Sequence, residues 1–202
     1  IKRLCDSNSK VSSHYFIKNN GELLNLVPDL YTAWHAGDSS WKKFRSLNRY
    51  SIGIEINNPG HEFVYKKYSL KQISSLMILL KNLKKKYKIK KQNILGHSDI
   101  SPNRKKDPGE KFPWNKLAKK KLCKWHTLQE NNIKIYRNSK LDIRHEKLFF
   151  KNLKKIGYSK NFSARYDKKK INLIKAFQRK FRQSLINGKI DKECFLISQN
   201  LI

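Results

Sequence analysis

The chain has 202 residues, of which 38% are hydrophobic and 11% aromatic, enough to build a core and to exclude a disordered polyelectrolyte despite a 30% charged content. Its 46 Lys and Arg against 15 Asp and Glu leave a net charge of +31. Such a surface attracts nucleic acid, anionic lipid or an acidic cell-wall polymer, but the abundance of Lys, Asn and Ile throughout is also what A/T-rich coding produces without a selected partner, and we favour that reading.

In chain order, residues 11–18 (VSSHYFIK) and 22–27 (ELLNLV) read as the two arms of a hairpin around Asn-Asn-Gly. A third strand is expected at 51–56 (SIGIEI), where Ile52, Ile54 and Ile56 alternate with Ser51, Gly53 and Glu55. That alternation buries one face and turns Glu55 the other way. Residues 69–87 carry Leu70, Ile73, Leu76, Met77, Leu80, Leu83 and Tyr87 at helical spacing, with Ser69 and Gln72 placed as a capping box. Residues 93–96 (NILG) read as a buried strand that delivers His97 to its end. Strands and helices mixed in this order predict an α/β domain with a central mixed sheet flanked by helices. Beyond residue 135, KLFFKNLKKIGY, KKKINLIKAFQRKF and DKECFLISQNLI read as three short helices broken at Gly157 and at Asn187-Gly188. The predicted division is a domain at 1–125, a linker at 126–139 and a small three-helix domain at 140–202.

Cys5, Cys123 and Cys194 form no CxxC pair and are odd in number, so they support neither a disulfide framework nor a zinc ribbon. No apolar run approaches the roughly 20 residues that span a bilayer. The chain begins at Ile1 without an initiator Met, and we expect residues to be missing upstream, any export signal among them.

His97 and Asp107 lie ten positions apart in GHSDISPNRKKDPG, a Pro- and Gly-containing loop. An imidazole nitrogen and a carboxylate oxygen make half of a common ligand set for catalytic zinc, although taken alone a His that caps a helix or bonds Asp99 accounts for the pair as well. Taken alone, Glu55 is a solvated strand residue and Lys105 one lysine in a basic run.

The segments VSSHYFI, AWHAGDSSW, LNRYSIGIEI, GHSDISPNRKKDPG and FPW, in this order and spacing, resemble the zinc-dependent N-acetylmuramoyl-L-alanine amidases of type 2, over residues 1 to about 120. The resemblance implies Zn²⁺ as cofactor with His97 and Asp107 as ligands. It implies Glu55 as the catalytic acid/base and Lys105, rather than Lys106, as the charge that supports the transition state. Zinc would acidify water and polarise the scissile carbonyl, Glu55 would pass a proton from the water to the leaving amine, and Lys105 would stand beside the oxyanion. His35 resembles a position that lines the substrate cleft and Trp34 is expected to support it there by packing, both counted as substrate-binding, whereas His14 is expected to be structural and His61, His126 and His145 sit in no motif. The family's first ligand, a His on an early strand, is expected upstream of Ile1.

The KNLKKIGY, IKAFQRKFRQSLINGKID and final helical segments resemble the small helical peptidoglycan-binding domain, while Ile171, Ile174, Phe177 and Phe181 have core spacing whatever the function. Such a module would raise the enzyme's effective concentration on an insoluble polymer. Together the resemblances imply an amidase that cleaves between N-acetylmuramic acid and L-alanine in peptidoglycan or muropeptides, in the bacterial cell envelope (periplasm or outer-membrane associated), with the cytoplasm as the alternative. The expected partners are peptidoglycan or its fragments and no specific nucleic acid, with the chain a monomer. The rival reading is a non-catalytic peptidoglycan-recognition protein of the same fold, against which the presence of His97, Asp107 and Glu55 argues.

Overall fold

The computed structural model describes residues 2–158 and 167–202. The chain separates into two compact units, one up to Lys90 and one from Lys91 onward.

The first unit opens with a short helix α1 (Lys2–Cys5) and the strands β1 (Tyr15–Ile17) and β2 (Leu23–Asn25). These two strands pair antiparallel, with Tyr15 opposite Asn25 and Ile17 opposite Leu23. Gly21, at φ +87°, takes the left-handed backbone of the connecting turn, which closes with the Gly21 N–H on the Lys18 carbonyl at 2.9 Å. A two-residue ribbon, β3 (Ser40–Trp41) with β4 (Phe44–Arg45), follows. β5 (Ile54–Ile56) then pairs parallel to β1, so that Phe16 faces Glu55 across the ladder and the order is β2-β1-β5. The sheet is therefore mixed, as expected, and both expected arms of the hairpin and the third strand are present. Phe16 and Ile17 enter the core, while Glu55 is exposed on β5.

Helix α2 (Leu70–Lys86) carries the expected capping box. Ser69 Oγ accepts from the Gln72 N–H at 3.1 Å and Gln72 Oε1 accepts from the Ser69 N–H at 3.0 Å. Ile73, Leu76, Leu79, Leu80 and Leu83 are buried, each contributing about 1.5–3 kcal/mol of hydrophobic stabilisation. The expected stripe included Leu70, which is instead 76% exposed. At 100° per residue Leu70 lies about 120° round the helix from Leu76, outside the buried arc, and Leu79 takes the place the stripe left open.

In the second unit the expected strand at 93–96 is absent. Lys91–Asn93 forms a 3₁₀ turn, residues 94–96 are irregular, and His97 opens the four-residue helix α3 (His97–Ile100). The Ile94 carbonyl accepts from Lys180 Nζ at 3.0 Å, a side-chain partner where a strand would have a ladder bond. α4 (Trp114–Lys119) follows, and the stretch expected to be a linker holds α5 (Glu130–Lys134), with Ile133 buried. The three C-terminal helices appear as expected: α6 (Ile143–Ile156), α7 (Lys168–Phe181) and α8 (Lys192–Asn200). Asp142, Asp167 and Asp191 cap them by accepting from the backbone N–H three residues on, at 2.8, 2.9 and 2.9 Å. Phe149, Leu153, Leu173, Ile174, Phe177, Cys194 and Ile197 form their core. Ile171, expected in that core, is only half-buried. Compactness thus divides the chain at Lys90 and leaves the His97 loop in one body with the C-terminal helices.

Candidate active site

The loop 96–109 is held closed by its own backbone. The Gly96 N–H donates to Asp99 Oδ2 at 2.8 Å and caps α3. A Cβ at Gly96 would lie 2.6 Å from Pro108 Cδ, so only glycine lets the two ends of the loop meet. The Ser98 N–H then donates to the Asp107 carbonyl at 2.9 Å, and the Arg104 and Lys105 N–H groups fold back onto the Ser101 carbonyl at 3.0 and 2.9 Å. These bonds bring His97 Nδ1 to 3.2 Å from Asp107 Oδ2.

Arg104 can only donate, so its Nη2, 3.3 Å from His97 Nε2, makes Nε2 the acceptor and leaves Nδ1 with the proton that faces Asp107. Desolvation pushes the Asp107 carboxyl up, but the bond from His97 and the nearby charge of Lys105 outweigh this and hold the carboxyl below the ordinary carboxylate value. Lys105 is half-buried and Lys106 exposed.

The pair fits a zinc ion. Two donors bound at 2.0–2.1 Å to a tetrahedral centre stand about 3.3 Å apart, the spacing of these two, and a cation between them would take the place of the shared proton. Among the described residues no third His, Cys, Asp or Glu completes a cluster with them.

The other expected residues lie in the first unit. The His14 ring is buried, accepts at Nδ1 from the Gly53 N–H at 3.0 Å and donates from Nε2 to the Tyr31 carbonyl at 3.0 Å. Both nitrogens are engaged, in keeping with a structural role. The His35 ring places Nδ1 2.9 Å from the Ala33 carbonyl and Nε2 3.0 Å from Ser51 Oγ. A Cβ at Gly53 would fall 2.3 Å from His35 Cγ, so this ring rests directly on the glycine two residues before Glu55. Two bonds between Ser12 and Trp34, the Ser12 N–H on the Trp34 carbonyl at 3.1 Å and the Trp34 N–H on Ser12 Oγ at 2.8 Å, pin Trp34, whose surface is 51% exposed. His61 packs on Tyr65, His126 is buried with its basicity lowered by desolvation, and His145 pairs with Asp142 in its own helix cap.

Sequence reasoning missed the group that holds this loop from behind. Asp99 is 1% exposed and accepts from Tyr158 OH at 2.7 Å and from Lys180 Nζ at 2.8 Å, besides Gly96. Lys180 is itself buried and lies 4.4 Å from the ring centre of Trp114. The local signal was an Asp at the third position of a helix that glycine caps; nothing local named its distant partners.

A mixed α/β fold with an imidazole and a carboxylate paired in one tight loop suits a hydrolase. The family profile described as N-acetylmuramoyl-L-alanine amidase matches residues 1–110. N-acetylmuramoyl-L-alanine amidase AmiD of Escherichia coli is 33% identical over 210 residues, which span 97% of this chain and 75% of that protein. The 1,6-anhydro-N-acetylmuramyl-L-alanine amidase AmpD of Haemophilus influenzae is 38% identical over 108 residues, 53% of this chain and 56% of that protein. Among solved structures, AmiD in complex with the substrate anhydro-N-acetylmuramic acid-L-Ala-D-gamma-Glu-L-Lys superposes with a TM-score of 0.84 at 33% identity, over 98% of this chain and 80% of that one. AmpDh3 of Pseudomonas aeruginosa gives 0.84 at 30% identity, over 99% and 84%. This chain belongs to the N-acetylmuramoyl-L-alanine amidase family.

Proposed function

We propose that the chain hydrolyses the amide between the lactyl group of N-acetylmuramic acid and L-alanine, in peptidoglycan or in muropeptides cut from it, with zinc held by His97 and Asp107. The observation that carries this reading is the 3.2 Å approach of His97 Nδ1 to Asp107 Oδ2 in a loop whose backbone bonds leave the pair little freedom. Bound zinc would contribute Lewis acidity toward the carbonyl and lower the pKa of water to about 7. Glu55, exposed on β5, takes the proton of the attacking water and returns it to the departing alanine nitrogen. Lys105 supplies positive charge to the oxyanion and to the Asp107 carboxylate. His35 and Trp34 contact the muramyl peptide, Trp34 through its exposed surface.

Residues 140–202 serve as a peptidoglycan-binding module downstream of the catalytic domain at 1–125, and the chain works as a monomer in the bacterial envelope. Among the described residues no helix is long and apolar enough to cross a membrane. The relatives AmiD and AmpD are named for the same bond, and AmiD has been captured with an anhydro-muramyl peptide.

The test is Glu55→Gln, assayed by mass-spectrometric release of peptide from anhydro-N-acetylmuramyl-L-Ala-γ-D-Glu-L-Lys. Turnover should fall roughly 100- to 10,000-fold, the range of a lost general acid/base, with zinc content and melting temperature unchanged. Near-normal turnover by the variant would remove Glu55 from the chemistry, and a zinc-loaded full-length protein that cleaves nothing would sink the amidase reading.

A further inference from the structure

The carboxylate of Asp99, two residues after His97, is the point at which the C-terminal helices reach the His97 loop. Its Oδ2 accepts from the Gly96 N–H at 2.8 Å, the bond that starts α3 and thereby aims His97. The same oxygen accepts from Lys180 Nζ at 2.8 Å, near the end of α7, and Oδ1 accepts from Tyr158 OH at 2.7 Å, just past the end of α6. These donors stand 81 and 59 positions further along the chain. Asp99, Tyr158 and Lys180 are each at most 4% exposed, so the three form a buried cluster with its charge paired. Lys180 is fixed in turn by the Ile94 carbonyl at 3.0 Å and by the face of Trp114. Gln183 Nε2 donates to the carbonyls of Glu110 and Phe112 at 2.7 and 2.6 Å, tying the segment just after Asp107 to the residues that follow α7.

A module that served only to grip a polymer would need none of these bonds. We propose that Tyr158 and Lys180 are positioning residues of the catalytic machinery: through Asp99 they hold the Gly96–Asp99 turn that sets His97 opposite Asp107, so the C-terminal helices complete the metal loop as well as any wall-binding face. This rests on the reading of His97 and Asp107 as zinc ligands. Partners behind a metal ligand typically govern 10- to 100-fold of metal affinity or activity.

The experiment compares the parent chain with Tyr158→Phe, which removes one hydroxyl and keeps the ring, and with Lys180→Met, which strands the Asp99 carboxylate. Three readouts are taken well below each melting temperature: amide hydrogen exchange without metal, zinc affinity by chelator competition, and pelleting with isolated sacculi. In Tyr158→Phe the Gly96 and Ser98 amides should lose protection while the amides of α6, α7 and α8 keep theirs. Zinc affinity should fall 10- to 100-fold, with pelleting unchanged. Lys180→Met should show the same pattern more strongly; should it fail to fold, Tyr158→Phe decides alone. A Tyr158→Phe protein that melts earlier but keeps loop protection and zinc affinity would overturn the proposal and reduce the cluster to packing. A parent that binds no zinc would sink the metal reading instead, and the metal-free exchange pattern would still decide whether the helices hold the loop.

Discussion

Replacing Gly53 by Ala places a methyl group where the structure already holds an imidazole. The added Cβ would stand 2.3 Å from His35 Cγ, 2.6 Å from Cδ2 and 2.7 Å from Cβ. Reaching an ordinary carbon contact of about 3.5–4.0 Å requires a displacement of more than 1 Å. Two responses are open. If His35 yields, it loses its contacts with the Ala33 carbonyl and Ser51 Oγ. If the backbone leading into β5 yields, it strains the bonds by which the Gly53 carbonyl accepts from the His14 and Tyr15 N–H groups at 3.0 and 3.1 Å and the Gly53 N–H donates to the His14 ring. Overpacking of this kind costs about 1–3 kcal/mol and a displaced hydrogen bond about 0.5–1.5 kcal/mol more. A catalytic group shifted by about 1 Å can lose roughly 100-fold in rate, and Glu55 is two residues away. Urea unfolding of the parent, Gly53→Ala, His35→Ala and the double variant closes a mutant cycle, with turnover on the soluble muropeptide read in parallel. In the double variant the methyl group has its space, so most of the stability cost of Gly53→Ala should disappear. Equal destabilisation by Gly53→Ala with and without His35 would show that the glycine answers to the backbone and not to the ring.

Lys105→Met should cut turnover roughly 100- to 1000-fold, as loss of one transition-state donor does, while Lys106→Met leaves it unchanged; kcat on the same substrate separates the two. Burial, reinforced by donation to Asp29 at 2.5 Å, pushes the Tyr15 phenol up to about 12. The fold therefore favours the neutral phenol, so its contribution to stability is complete below about pH 10 and is lost as pH rises from there toward 12. Urea unfolding at pH 8 and pH 11 should show a smaller alkaline loss for Tyr15→Phe than for the parent, and equal losses would remove Tyr15 from the alkaline transition.

Where local chemistry determines an element, the sequence was enough. The box of Ser69 and Gln72 and the breaks at Gly157 and Asn187-Gly188 are each set within a few residues, and each appears where the pattern put it. The alternation of 51–56 correctly left Glu55 exposed. The failures share one cause. Residues 93–96 look like a strand because Ile94 and Leu95 are apolar, yet apolar pattern does not say what meets the backbone, and the Ile94 carbonyl is met by Lys180 rather than a neighbouring strand. Leu70 failed likewise, since spacing defines an arc on a helix but not where the neighbouring surface ends.

The site divides along the same line. The approach of His97 to Asp107 was legible because they stand ten positions apart in a loop with Gly96 and Pro108 near its ends, which can bring them together by itself. The contact between His35 and Gly53 was half legible: both residues stand in matched motifs, but only the structure shows that the glycine is small because the histidine lies on it. Lys180 was illegible. In a chain with 46 Lys and Arg, one more lysine in a basic helix reads as solvated surface, and here it is a buried cation neutralising a buried aspartate. High net charge thus hides what matters most about this sequence, since a lysine that must be charged, buried and paired is spelled the same as one that A/T-rich coding supplied. Burying a lysine that way requires an anion fixed in place, and the anion here stands two residues from the first predicted metal ligand. Placing so costly a pair behind so small a loop is intelligible if the loop's geometry, rather than the stability of the helices, is what the pair maintains.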